Sequence, residues 1–98
     1  MNKDMLAKVM DIMSVHSFAE QREMFVEECA EAIQAVQKCK RDVSGDEYLK
    51  AVEHLREEVA DVLIMAEQMK LFLGSDKVDE IIAAKLTRQI KRDKGDTA

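Results

Sequence analysis

An all-α fold, a four-helix bundle with two long central antiparallel helices, is what this chain predicts, and three observations carry the prediction. Its 98 residues contain no proline and only three glycines, so little in the sequence interrupts a helix. Hydrophobic residues make up 47% and charged residues 36%, a balance that suits amphipathic helices. Apolar positions recur at helical spacing through four segments separated by short breaks. At this length residues 1–98 form one domain. Seven methionines beside four aromatic residues point to an adaptable aliphatic core.

The first segment, residues 3–14, is moderately amphipathic. Ser17 followed by Glu20 has the spacing of a capping box, which starts a second helix near Phe18. That helix runs to Arg41, where "DVSGD" breaks it. Ser44 with Glu47 is another box, or Asp46 caps directly, and either opens a third helix reaching Phe72. Gly74 in "FLGSD" suits a left-handed C-terminal cap. Ser75 or Asp76 begins a fourth helix that runs to Arg92, and "KGDTA" is expected to fray. The two middle helices each span roughly 35–40 Å at about 1.5 Å per residue. Short connections make them antiparallel neighbours.

Composition also narrows function. A formal charge of −5 argues against a general nucleic-acid binder. It leaves room for an anionic small molecule, because a bound divalent cation reverses the local sign. Asp4, Lys8 and Asp11 interrupt any apolar leader, and no stretch approaches the roughly 20 apolar residues of a membrane span. Cys29 and Cys39 stand ten apart without a CxxC, as expected of small buried hydrophobes in a reducing cytoplasm.

The acids are the informative residues. "EECAE" (27–31) and "EEVAD" (57–61) place carboxylates where the helical neighbours are apolar. Glu28 shares its face with Met24, Ala32 and Ala35, and Glu58 with Ala51, Leu55, Val62, Met65 and Met69. Glu31 follows Glu28 by three residues, and Asp61 follows Glu58 by three, so each pair projects side by side. A glutamate-rich segment is ordinarily a solvated face. Two acid pairs centred in apolar stripes on consecutive long helices favour an inward site instead.

Such a cluster needs a compensating cation. Two unit charges about 4 Å apart repel by roughly 4 kcal/mol at an effective dielectric near 20. Lysine, arginine, shared protons or a metal would each serve. Oxygen-only ligands favour a hard ion, Mg2+ or Mn2+, and Mg2+ commonly shares its sphere with substrate phosphates. A di-iron carboxylate bundle would need Glu-x-x-His pairs, and neither His16 nor His54 stands three after a glutamate.

With Glu27, Glu28 and Glu31 in "EExxE" and Glu58 and Asp61 in "ExxD", the chain resembles the MazG-like all-α nucleoside triphosphate pyrophosphohydrolases, in their stand-alone or phage-associated branch. "QREMFVEECAEAIQAVQK" and "LREEVADVLIMAEQMKLFLG" match the two central helices of that family, and the resemblance covers residues 17 to 92. It implies Mg2+-dependent hydrolysis of a nucleoside triphosphate to the monophosphate and pyrophosphate. It also implies that Glu28, Glu31, Glu58 and Asp61 are the metal ligands, with Glu27 binding a second ion, orienting the attacking water or standing in the outer shell. The last helix keeps Lys85 and Arg92 of the family's pattern, with Gln89 where asparagine often stands and "DKGD" in place of a tyrosine–proline.

On that reading a water attacks the α-phosphorus in line and expels pyrophosphate. Lys85, Arg88 and Arg92 meet the remaining phosphate charge. The alternative for these three is a basic last turn that complements the helix dipole. Gln21, which precedes the acids on the same helix, is placed to bind base or sugar unless it is solvated. His54, four before Glu58, either contacts the substrate or lies at the surface. A homodimer or dimer of dimers is expected, since the long helices offer broad apolar faces, the methionine-rich third helix above all. Two other functions fit the same features: action on a related nucleotide such as phosphoribosyl-ATP, or a non-catalytic helical interaction module.

Overall fold

A computed structural model describes residues 1–39 and 45–95. Four helices follow one another, α1 (Lys3–Met13), α2 (Phe18–Cys39), α3 (Gly45–Leu73) and α4 (Ser75–Asp93), and there is no strand among the described residues. The all-helical fold is as the composition predicts.

Each described boundary has a local cause. Asn2 caps α1 by accepting a hydrogen bond from the Met5 amide at 2.9 Å, and Ser14 closes the helix as its C-cap. At the start of α2 the expected capping box is formed in both directions. The Glu20 amide donates to Ser17 Oγ at 3.1 Å, and the Ser17 amide donates to Glu20 Oε1 at 3.0 Å. Lys40 and Arg41, the expected end of that helix, lie outside the described residues, as does Ser44 of the second box. Asp46 is not the cap of α3. It sits with Glu47 inside the first turn, where a carboxylate complements the helix dipole.

Gly74 is the whole connection between α3 and α4, and its φ of 100° supplies the positive angle expected of it. Lys70 Nζ reaches Asp79 at 2.8 Å across this joint.

α2 and α3 form the centre of the molecule, with α1 and α4 both resting on α3. The long pair is antiparallel. Phe18 at the start of α2 meets Phe72 near the end of α3, ring centroids 5.0 Å apart and edge to face, while Glu31 farther along α2 lies by Glu58. Buried apolar side chains are few among the described residues: Val9, Ala35, Met65 and Met69. The methionines of α3 thus go inward, and the exposed apolar surface is carried by other residues, among them Leu63 of α3 and Ile82, Leu86 and Ile90 of α4. No helix among the described residues is long and apolar enough to cross a membrane.

Candidate functional site

The antiparallel register sets Glu31 opposite Glu58 and Glu28 opposite Asp61. Because residues three apart on a helix are lateral neighbours, the two acid pairs come near one another where α2 faces α3, and each of Glu28 and Glu58 feels the Asp61 charge. Glu28, Glu31 and Glu58 each bring a carboxylate oxygen within 4.8 Å of the other two. Glu58 is buried, Glu28 half-buried and Glu31 exposed, so the group is closed on its core side and open on the other. Asp61 is exposed and stands outside this triad. It borders the adjoining cavity together with Glu28.

Electrostatically the site is under-compensated. Burial, followed by the charges of Asp61, Glu31, Glu58 and Glu27, raises the pKa of Glu28 above its ordinary value. Burial, then the Glu31 charge, raises that of Glu58, against an opposing contribution from His54. His54 Nε2 lies 3.8 Å from Glu58 Oε1 and is the one basic side chain paired with these acids among the described residues. Glu28 Oε2 and Glu58 Oε2 are shielded from solvent and have no hydrogen-bond partner among the described residues. Buried acceptors are normally satisfied, so two partnerless carboxylate oxygens in one acidic group fit a cation as their partner. An all-oxygen donor set of this charge suits Mg2+ or Mn2+.

The other expected site residues are distributed unevenly. Gln21 is 1% exposed and borders the cavity beside Glu28, so it is not a solvated glutamine. Glu27 is exposed on α2 and acts on the group through its charge on Glu28. Lys85, Arg88 and Arg92 are exposed on α4, which packs chiefly against α3. Among the described residues none of the three pairs with the acids. Within one chain the carboxylates and these cations are not brought together.

Sequence reasoning missed Gln68, which is 1% exposed and borders the same cavity. The signal was present. Gln68 falls between Met65 and Met69 in the inward stripe of α3, and a polar residue inside an apolar stripe is what singled out Glu28 and Glu58. His16, also on the cavity rim, carried no such pattern.

Set against family models, curated proteins and solved structures, the chain matches none of them. The functional reading therefore rests on the residues and their geometry.

Proposed function

We propose that this protein is a Mg2+-dependent pyrophosphohydrolase that converts a nucleoside triphosphate to the monophosphate and pyrophosphate. The observation that carries this reading is the convergence of Glu28, Glu31 and Glu58 from two helices, with two shielded carboxylate oxygens left unpartnered. Glu28, Glu31 and Glu58 would hold the ion, and Asp61 would complete its surroundings from the cavity side. Bound there, Mg2+ (or Mn2+ in its place) supplies positive charge to the triphosphate oxygens and to the charge that develops in the displacement.

The chain's own groups do the rest. Glu27, exposed beside Glu28, orients a water and takes its proton as the water oxygen bonds to the α-phosphorus. The bridging P–O bond to the β-phosphate breaks, and pyrophosphate leaves in line. Lys85, Arg88 and Arg92 match the charge of the leaving group, Arg88 and Arg92 through forked, bidentate contacts. Since none of the three pairs with the acids of its own chain among the described residues, that role belongs to an assembly, a homodimer or dimer of dimers, in which another copy's α4 faces the carboxylates.

The test is pyrophosphate and monophosphate release from a nucleotide panel that includes phosphoribosyl-ATP, with Mg2+ and with chelator. Glu58→Gln is expected to stay helical by circular dichroism and to lose more than about 100-fold in rate. A loss of that size exceeds the 10–100-fold typical of removing only an outer partner of a ligand. Full activity in Glu58→Gln, or equal rates in chelator, would overturn the assignment. Metal-indifferent binding of a basic protein would establish the interaction module instead.

A further inference from the structure

The two largest side chains that the described residues bury completely are glutamines, Gln21 and Gln68. Burying a carboxamide is costly unless its donor and acceptor groups are satisfied. Here Oε1 of each is shielded from solvent and has no partner among the described residues. The Gln68 amide nitrogen already donates to Met65 Sδ at 3.6 Å, so its oxygen is the atom left over.

Their placement is not independent of the acids. Gln21 lies seven residues before Glu28, and Gln68 seven residues after Asp61. In an antiparallel pair those two steps run the same way, so the register that faces Glu28 with Asp61 faces Gln21 with Gln68. Seven residues are about 10.5 Å of helix. The glutamines therefore stand two turns from the carboxylates, at the end of the helix pair where Phe18 meets Phe72.

Both border a cavity of about 250 Å³ that starts at Glu28 and Asp61, with Ile12, Met24, Ile64 and Met65 among its apolar walls. Pockets for drug-sized ligands run from about 300 to 1,000 Å³, so this one has room for a ring system rather than a whole nucleotide. Apolar walls with a few polar groups at one end are the usual lining for a flat heterocycle.

We infer that this cavity takes the base of the nucleotide, and that Gln21 and Gln68 select a purine or pyrimidine bearing an exocyclic amino group, whose two N–H donors the two orphaned glutamine oxygens accept. A base presenting a carbonyl at that position sets lone pairs against both oxygens and leaves them unsatisfied. The interval between the glutamines and the carboxylates is spanned by the sugar, with the phosphates at the acidic end. The inference rests on the carboxylates handling those phosphates.

The experiment is side-chain 15N–1H2 NMR of the whole chain, titrated in millimolar Mg2+ with deoxycytidine, deoxyadenosine and thymidine 5′-monophosphates and with 2-deoxyribose 5-phosphate. Expected are shifts of the Gln21 and Gln68 amides with the amino-bearing monophosphates, while Gln34, Gln37 and Gln89 stay in place. Affinity should be about tenfold higher for these than for thymidine monophosphate. Gln68→Met, close in volume, should erase that difference. Equal responses to 2-deoxyribose 5-phosphate, equal affinity for the thymine nucleotide, or unmoved Gln21 and Gln68 signals at saturation would overturn the inference. Pyrophosphate release together with silent glutamines leaves the enzymatic reading standing and removes this one. Responsive glutamines without hydrolysis of any triphosphate do the reverse. A chain that neither binds nor hydrolyses overturns both.

Discussion

A carboxyl held above its ordinary range binds its proton more tightly in the folded chain than in the unfolded one, and Glu28 and Glu58 are both in that condition. Their protonation favours folding. The contribution is fully present below the ordinary glutamate value of 4.5 and is lost as pH rises through the raised folded values. A metal reverses the slope, because it binds the ionised carboxylates and stabilises only the native state. In chelator the melting temperature of the wild type should therefore fall, relative to Glu58→Gln, as pH is raised above 4.5. With millimolar Mg2+ the wild type should gain stability over the same interval. Parallel curves for the two proteins under both conditions would sink the account. Glu20 gives an internal control. Its pKa is lowered, first by the Ser17 backbone amide and then by the Ser17 hydroxyl. The stability it adds is present above 4.5 and lost as pH falls through its lowered value, on the other side of the window.

At the scale of the helix, what is legible in sequence is what a short pattern can state. Ser17 and Glu20 satisfy two amides reciprocally, and three-residue spacing is enough to announce it. Ser17→Ala should destabilise the protein by about 1 kcal/mol, measured by urea denaturation. Gly74 is legible for a similar reason, since a φ of 100° excludes most residues whatever the surroundings. A Cβ there meets nothing closer than the Lys77 side chain at 3.8 Å, so the cost of Gly74→Ala is backbone strain, of the order of 1–2 kcal/mol. An equally stable Gly74→Ala protein would show that the α3–α4 joint relaxes freely. The acidic pairs were legible because they break an apolar stripe. Gln68 breaks one in the same way, yet an amide carries no charge to attract notice, and its burial depends on what α2 places opposite. The distance from the α4 cations to the acids was not legible at all. Spacing along a helix fixes a face, but α4 leaves α3 through one glycine and beside one partly exposed ion pair, Lys70–Asp79, neither of which fixes an angle in the sequence.

The shape of the whole molecule carries the last expectation. A compact domain of about 100 residues has a radius of gyration near 13 Å. This chain has 16.9 Å, spread over 45 × 43 × 25 Å, and all residues of α4 beyond Val78 are exposed. Among the described residues only four apolar side chains are buried, a small core to set against the chain entropy of four helices. The missing burial is available at Ile82, Leu86 and Ile90, which repeat every four residues along one stripe of α4 and are 45%, 60% and 54% exposed. Each such side chain is already about half covered and returns about 1 kcal/mol when the rest is buried, and a second copy of the chain is the simplest cover because symmetry presents the stripe twice. The same association would carry Lys85, Arg88 and Arg92 toward another chain's acids, so assembly and phosphate binding should fail together. Sedimentation at micromolar concentration should give at least twice the 11.2 kDa of one chain. Leu86→Glu, which changes none of the proposed site residues, should shift it toward the monomer, lower the melting temperature and reduce pyrophosphate release. A wild-type monomer whose melting temperature is unchanged over a hundredfold dilution would require the exposed stripe to be stable in water, and would leave Arg92 to balance the end of its own helix and Lys85 and Arg88 as solvated surface charges.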